Sequence, residues 1–270
     1  QLFITLVLFL SISCLNVSSA ESSPRDVFFY FIEKYVRYIQ SETGEMNLDR
    51  FGFESFVFRT GAGEVNNPHI IIPEDKGKID LKNGGRVFIF NDGSHDSQQA
   101  LNNNYPDGSY YISFSTPHRK IQNQPLDISG TGKLSDYPPL PKVQLWQGGE
   151  KANPGNLDVN KDLTITWTPF NTARKDPNNI LDDFILLLLE DCEENLLGTS
   201  GLPFTDEYLH AGDTTYTFQP GILLPDRAYT LEVEHLRITD TVISNDIPGL
   251  GVYASATKVE IQTTGEASVL

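Results

Sequence analysis

The stretch Thr215–Leu236 constrains this chain more than any other. It reads as a short strand, a tight turn bearing Pro225, and a long strand. In the long strand Tyr229, Leu231 and Val233 share one face, and Thr230, Glu232 and Glu234 share the other. A period of two marks a strand with one face buried and one wet. The Leu223-x-Pro225-x-x-x-Tyr229 spacing adds a tyrosine at the strand's start. Such a tyrosine turns its hydroxyl back onto backbone just upstream and closes a corner between two sheets. A β-sandwich is therefore expected here.

The chain has 270 residues, too many for one small sandwich and suited to two domains. Leu2–Leu15 is almost wholly apolar and uncharged, and Ser18-Ser19-Ala20 follows. That pattern predicts a secretory signal peptide over residues 1–20, cleaved after Ala20. The run falls short of the roughly 20 residues that a membrane span needs. The chain opens on Gln1 without a basic stretch ahead of the apolar run, so the natural start is expected upstream. Cys14 as a lipidated cysteine is the weaker reading, because Ser11 stands where a lipobox has Leu. Signal removal leaves Cys192, which lies among Glu190, Asp191, Glu193 and Glu194. A lone cysteine makes no internal disulfide, and its acidic neighbours disfavour the thiolate, so a bystander thiol in a hairpin loop is expected.

The formal charge is -16, and it is uneven. Glu21–Tyr137 carries 12 basic and 16 acidic residues, whereas the remainder carries 8 basic and 20 acidic. Such a surface repels nucleic acid and anionic membranes and favours solubility outside the cell.

Val27–Ile39 fits a helical face behind Ser23 and Pro24, but its aromatic and β-branched residues favour an opening strand. Short apolar runs cut by turn residues follow. Phe53–Arg59 alternates, and His69–Ile72 stops at Pro73. Asn83-Gly84-Gly85 is expected to join Lys78–Leu81 to Arg86–Phe90 as a hairpin. Asp96–Asn102 suits one helical turn, and Tyr105-Pro106-Asp107-Gly108 suits a β-turn launching Ser109–Ser115. A last strand of this half is expected near Leu126–Ile128. Pro138, Pro139 and Pro141 remove donors and fix φ, which makes residues 138–141 a stiff extended connector. The expected organisation is all-β: two tandem antiparallel β-sandwich domains, over residues 25–137 and 142–265, after the signal peptide.

In the second half the strand candidates are Lys142–Trp146, Asp162–Thr168, Asp183–Glu190, Thr215–Gln219, Ala228–Arg237 and Tyr253–Thr263. Leu163, Ile165 and Trp167 share a face, so Trp167 is expected to anchor the core. Phe184–Leu189 is apolar throughout, as in a central strand covered on both sides. Leu163–Trp167, the Leu223/Pro225/Tyr229 corner and the closing Ala254–Thr264 stretch together resemble a fibronectin type III domain over roughly Pro139–Gly265. The wider immunoglobulin-like class fits as well, because Asn171–Asp182, Asn195–Gly212 and Thr239–Gly251 read as unusually long loops. The resemblance implies spacing, adhesion or partner binding. The tandem also resembles secreted β-sandwich proteins of environmental bacteria.

Motifs for chemistry are sparse. Ser94-His95-Asp96 holds the letters of a catalytic triad, but sequence neighbours cannot form that geometry. No Gly-x-Ser-x-Gly elbow, phosphate loop or dinucleotide fingerprint occurs. His69, His95, His118, His210 and His235 lack zinc-site spacing, and His235 is expected as a satisfied histidine at the core's rim. Asp158-Val159-Asn160-Lys161-Asp162 alternates oxygen ligands like a calcium loop but lacks its Gly and distant Glu, so a turn leading into Leu163 is preferred. His118-Arg119-Lys120 is a basic patch at a strand end, fit for an anionic polysaccharide or simply a solvated turn. Tyr105, Tyr110 and Tyr111 cluster around one turn, where exposed rings would serve glycan stacking.

These readings converge on a secreted, non-catalytic bacterial protein without cofactor or metal. It would act as an extracellular structural, adhesion or partner-binding scaffold for a protein or glycan. A carbohydrate-binding module, or an accessory region of a larger secreted enzyme, is the alternative.

Overall fold

The computed structural model describes residues 26–61, 63–193 and 195–265. The expected signal peptide and Cys14 lie outside them. In chain order, β1 (Val27–Gln40) and β2 (Met46–Arg59) form a long hairpin. Next come β3 (Asn66–Ile72), β4 (Gly77–Asp80), β5 (Lys82–Asn83), β6 (Val87–His95) and the short helix α1 (Gln98–Asn104). β7 (Gly108–Ser115) and β8 (Lys120–Ile128) end the first half. The second half opens with β9 (Val143–Gln147), β10 (Glu150–Lys151), β11 (Leu157–Asp158) and β12 (Leu163–Trp167). It continues through β13 (Phe184–Asp191), β14 (Leu196–Thr199), β15 (Leu209–His210) and β16 (Thr215–Phe218). It closes on the long pair β17 (Ala228–Ser244) and β18 (Ile247–Thr264).

Two four-stranded sheets, β4-β3-β7-β8 and β10-β9-β12-β16, stand beside one ten-stranded sheet. The large sheet runs β14-β13-β17-β18-β1-β2-β6-β5, with β11 beside β18 and β15 beside β13. Its seam is the parallel pairing of β1 with β18, from Tyr30 opposite Gly249 to Ile39 opposite Lys258. The first core holds Tyr30, Ile32 and Phe53 with Tyr110 and Ile112. The second holds Trp167 and Ile165 with Leu187, Leu231 and Val233. One continuous sheet thus backs both cores, and its other face carries a third cluster around Phe29, Tyr35, Phe184 and Leu250.

The expected anchors are in place. Trp167 is buried and its indole N–H donates to the Asp213 carbonyl at 3.0 Å. The Tyr229 hydroxyl accepts from the Leu224 amide at 2.7 Å and donates to the Leu224 carbonyl at 3.3 Å. Tyr229→Phe removes that corner while keeping the ring, so it should cost about 1–2 kcal/mol in a denaturant unfolding series. A cost below measurement error would mean that the corner contributes nothing.

Three expectations change. Thr239–Gly251 is the outer part of the β17–β18 hairpin and not a loop, since Thr241 pairs with Leu250 and Ser244 with Ile247. Asn245 and Asp246 take positive φ at its tip, the geometry of a two-residue hairpin turn. Pro248 and the glycines 249 and 251 hid this strand, yet β1 pairing begins only at Gly249, so Pro248 forfeits no hydrogen bond to β1. Secondly, Lys78–Asp80 pairs with β3, while Lys82–Asn83 pairs with β6, so the chain changes sheets at the buried Leu81 and the expected hairpin shrinks to its tip. Thirdly, the expected rim position of His235 gives way to the core, because residues 138–141, extended as expected, are fastened over it. The carbonyls of Pro138, Pro139 and Pro141 meet Ser255 at 2.7 Å, His235 at 2.7 Å and Thr257 at 2.5 Å. The expected rim histidine is consequently wholly buried, its ring stacked on Phe170 at 4.8 Å. Burial pulls the His235 pKa down to about 4.

Candidate functional site: a carboxylate trough on the open face of the large sheet

Strand alternation sends Tyr30, Ile32 and Val36 into the first core, and therefore Glu33, Tyr35 and Arg37 to the opposite face. The same rule turns Arg50, Gly52 and Glu54 of β2 outward, and Glu232 and Glu234 of β17. Register then gathers them. Glu33 stands directly opposite Glu54. Glu234 lies opposite Ala256, and Ala256 opposite Arg37. The small Ala254 and Ala256 of β18 leave a hollow between taller neighbours. The result is a trough of about 410 Å³, closed by Leu188 and Glu190 on one side and by Ile89 and Asn91 on the other.

Its charges are unequally satisfied. Arg37 and Arg50 both hold Asp49, at 2.8 and 2.9 Å, and Arg37 reaches Glu232 at 3.6 Å. A register shift between Arg37 and Tyr38 re-aims Asp49 for this double contact. Among the described residues Glu54 accepts only from the Asn91 amide, at 2.5 Å. Glu33 is 4% exposed and makes no hydrogen bond among the described residues. Burial first, then the neighbouring carboxylates, push these acids upward. Glu54 is pushed up to about 8, and Glu33 and Glu234 stand well above the ordinary range. A hydrogen bond with Glu232 further favours the protonated form of Glu234. The setting thus favours the protonated form of these acids, Glu54 by burial first.

Tyr35 is 5% exposed, and its hydroxyl has no hydrogen-bond partner among the described residues. Its ring lies flat on β2 and β6. A Cβ at Gly52 would come within 2.3 Å of the ring, and one at Gly93 within 2.3 Å of the hydroxyl. These two glycines seat it. At the far end Phe56 opens a row of rings that continues through Phe31, Phe58 and Phe29, with stacked centroid spacings of 4.7, 5.9 and 4.5 Å. These rings lie against one another, and with Phe184, Phe204 and Leu250 they form a third hydrophobic cluster in which Phe29 is wholly buried.

The residues that sequence reasoning singled out lie elsewhere. Ser94 donates to Asp92 at 2.6 Å, Tyr105 donates to the same carboxylate at 2.8 Å, and His95 stands 3.3 Å from it. Ser94, His95 and Asp96 form no relay. Asp158 makes the expected turn, accepting from the Asn160 amide at 3.0 Å. Among the described residues no three metal-ligating side chains converge as a cation site requires. His118 bonds Asp26 at 2.9 Å and Arg119 bonds the Asn245 carbonyl at 2.9 Å, so the basic patch clasps the β17–β18 tip. Tyr105 and Tyr110 are core residues stacked on Phe53, and only Tyr111 is exposed. Cys192 is exposed in the β13–β14 turn.

The trough itself was missed. Alternation predicts a wet face for Glu232 and Glu234; the structure turns them away from the core but half-buries both in the trough. What no local pattern signalled is the β1–β18 seam that sets Glu33 and Glu54 beside them. The nearest clue was Glu33 interrupting the aromatic run of Val27–Ile39.

Strands β10-β9-β12-β16 facing β14-β13-β17-β18, with Trp167 and Tyr229 as anchors, define the class. The second core is a fibronectin type III/immunoglobulin-like β-sandwich within an all-β chain. No protein-family model and no curated protein matches the chain. Among solved structures it is similar to the chicken CNTN1 FN1–FN3 domains, at 13% identity over 89% of this chain and 67% of that one, with a TM-score of 0.22. The class rests on strand order and the two anchors. No helix among the described residues is long and apolar enough to cross a membrane.

Proposed function

We propose that this is a secreted, non-catalytic bacterial protein that works outside the cell as a partner-binding scaffold. The observation that carries the reading is the trough. Its polar groups project from five strands of one sheet rather than from loops, so the recognition surface is held rigid by two cores beneath it. The acidic composition and the leader-like Leu2–Ala20 support an extracellular setting. The glycan-binding alternative draws on the Phe31, Phe56 and Phe58 row. Sugar stacking uses ring faces, whereas these faces are taken by neighbouring rings, which favours a protein or small-molecule partner.

The test is expression of the full chain with its leader in a bacterial host. The expected outcome is recovery from outside the cytoplasm with Glu21 as the new N-terminus, saturable binding to extracellular material, and no turnover across a panel of polysaccharide and peptide substrates. Cytoplasmic retention, or turnover abolished by Glu54→Gln, would contradict the reading.

A further inference from the structure

We propose that the trough is a binding site for alkylammonium groups, on a free oligoamine or on the lysine side chains of a partner. The proposal deepens the scaffold reading and rests on it.

Four observations meet at this place. Glu33 is buried, lines the cavity and lacks a hydrogen-bond partner among the described residues. Its carboxylate opens onto the cavity rather than into closed protein, where an incoming donor could reach it. Tyr35, which is not an acid, repeats the pattern from the same strand, its hydroxyl unpartnered beside the cavity and its ring seated by two glycines. Next, the cations present are already engaged. Arg37 and Arg50 both hold Asp49, and Arg37 also reaches Glu232, so no ion pair within 4.0 Å reaches Glu33, Glu54 or Glu234 among the described residues, and Lys258 stands beside Glu232. Finally, the acids do not converge on one point as a metal site would need. They are spread along a hollow whose other walls are Phe56, Ile89 and Leu188. Separated negative charges with apolar wall between them match ammonium groups separated by methylenes. A compact divalent ion leaves those walls unused.

The groups that face the carboxylates determine how binding responds to pH. β1 contributes Tyr35 and Arg37, and β2 contributes Asp49 and Arg50. β6 contributes the neutral Asn91, β13 contributes Glu190, and β17 contributes Glu232. β18 carries Lys258 in register with Glu232. An ammonium ion entering this setting displaces the protons held by Glu33, Glu54 and Glu234, so binding releases protons near neutrality.

Isothermal titration of the full secreted chain decides the matter, with spermidine and a blocked Gly-Lys-Gly peptide as probes. Each titration is run at pH 7.5 in two buffers of different ionisation enthalpy. The expected result is saturable binding of at least one probe with net proton release, weakened at least tenfold in Glu33→Gln/Glu234→Gln. Circular dichroism checks that this variant is folded, and Glu54→Gln serves as a second variant should the double one fail. Binding of spermidine alone assigns the site to free oligoamines, and binding of the peptide alone assigns it to protein side chains. Either supports the shared chemistry. Absence of heat with both probes, binding that the substitutions leave unchanged, or saturable binding of calcium alone overturns it. If both amines fail while the chain still binds extracellular material, the scaffold reading stands and only this inference falls.

Discussion

Asp107→Ala is expected to cost about 3–5 kcal/mol, because it strands a buried ammonium in the first core. Lys34 lies on the inner face of β1 with no solvent exposure. Its Nζ donates to Asp107 at 2.6 Å and to Asn102 at 2.5 Å. The Tyr253 hydroxyl donates to the same Asp107 carboxylate at 2.6 Å. Asp107 therefore ties the turn before β7 to both strands of the parallel seam. Burial already pulls the Lys34 pKa down, with Asp107 as the counterweight. Removing the carboxylate leaves the burial penalty and takes away its compensation. A fall in Tm on the order of 10 °C should follow for a chain of this size. Lys34→Met in the same background should recover most of the loss, because the uncompensated charge goes with it. If Asp107→Ala alone leaves Tm within a degree of the parent, the network has been misread.

The second large effect is with pH. Glu33, Glu54 and Glu234 have folded-state pKa values raised above the unfolded value near 4.5. A raised carboxyl contributes stability that is complete below the unfolded pKa and is lost as pH climbs to the folded one. His235 works from the other end. Its folded pKa is lowered to about 4, so its contribution is complete above about 6.5 and is lost as pH falls toward 4. Above about pH 6.5 the His235 contribution is complete, and the ionisation of these carboxyls should lower stability as pH climbs through about 8. Glu54→Gln should flatten that slope and raise Tm at pH 8.5, since an amide keeps the shape without the ionisation. Thermal unfolding of parent and variant from pH 6 to 9 reads both effects. A parent Tm that is flat or rising over that range contradicts the account.

Legibility followed sequence distance. Leu163, Ile165 and Trp167 announced a strand and its buried face through alternation alone, and the Tyr229 corner spans seven positions. Both needed only local rules. The β1–β18 seam pairs Tyr30 with Gly249, and no pattern within either segment selects the other. For the same reason the Pro138–Pro141 carbonyls gave no sign that Ser255, Thr257 and His235 would hold them. The outer half of β18 was hidden by Pro248, Gly249 and Gly251, residues that argue for a turn when read alone. Gly249 is needed because the Tyr30 ring lies 2.4 Å from where a Cβ would stand. The trough inherits this limit: its acids were visible one at a time, while their proximity is a property of the joined sheet.

Glu33, Glu54 and Glu234 share one trough, and their carboxyls are held above the ordinary range. The direct measurement is a pH titration of the side-chain carboxyl carbons by NMR, in protein labelled with ¹³C at glutamate and assigned through single Gln substitutions at residues 33, 54 and 234. The account predicts the Glu54 resonance titrating near 8 and those of Glu33 and Glu234 displaced upward from the bulk of the glutamates. If all three titrate together with the surface glutamates, there is no proton-loaded trough.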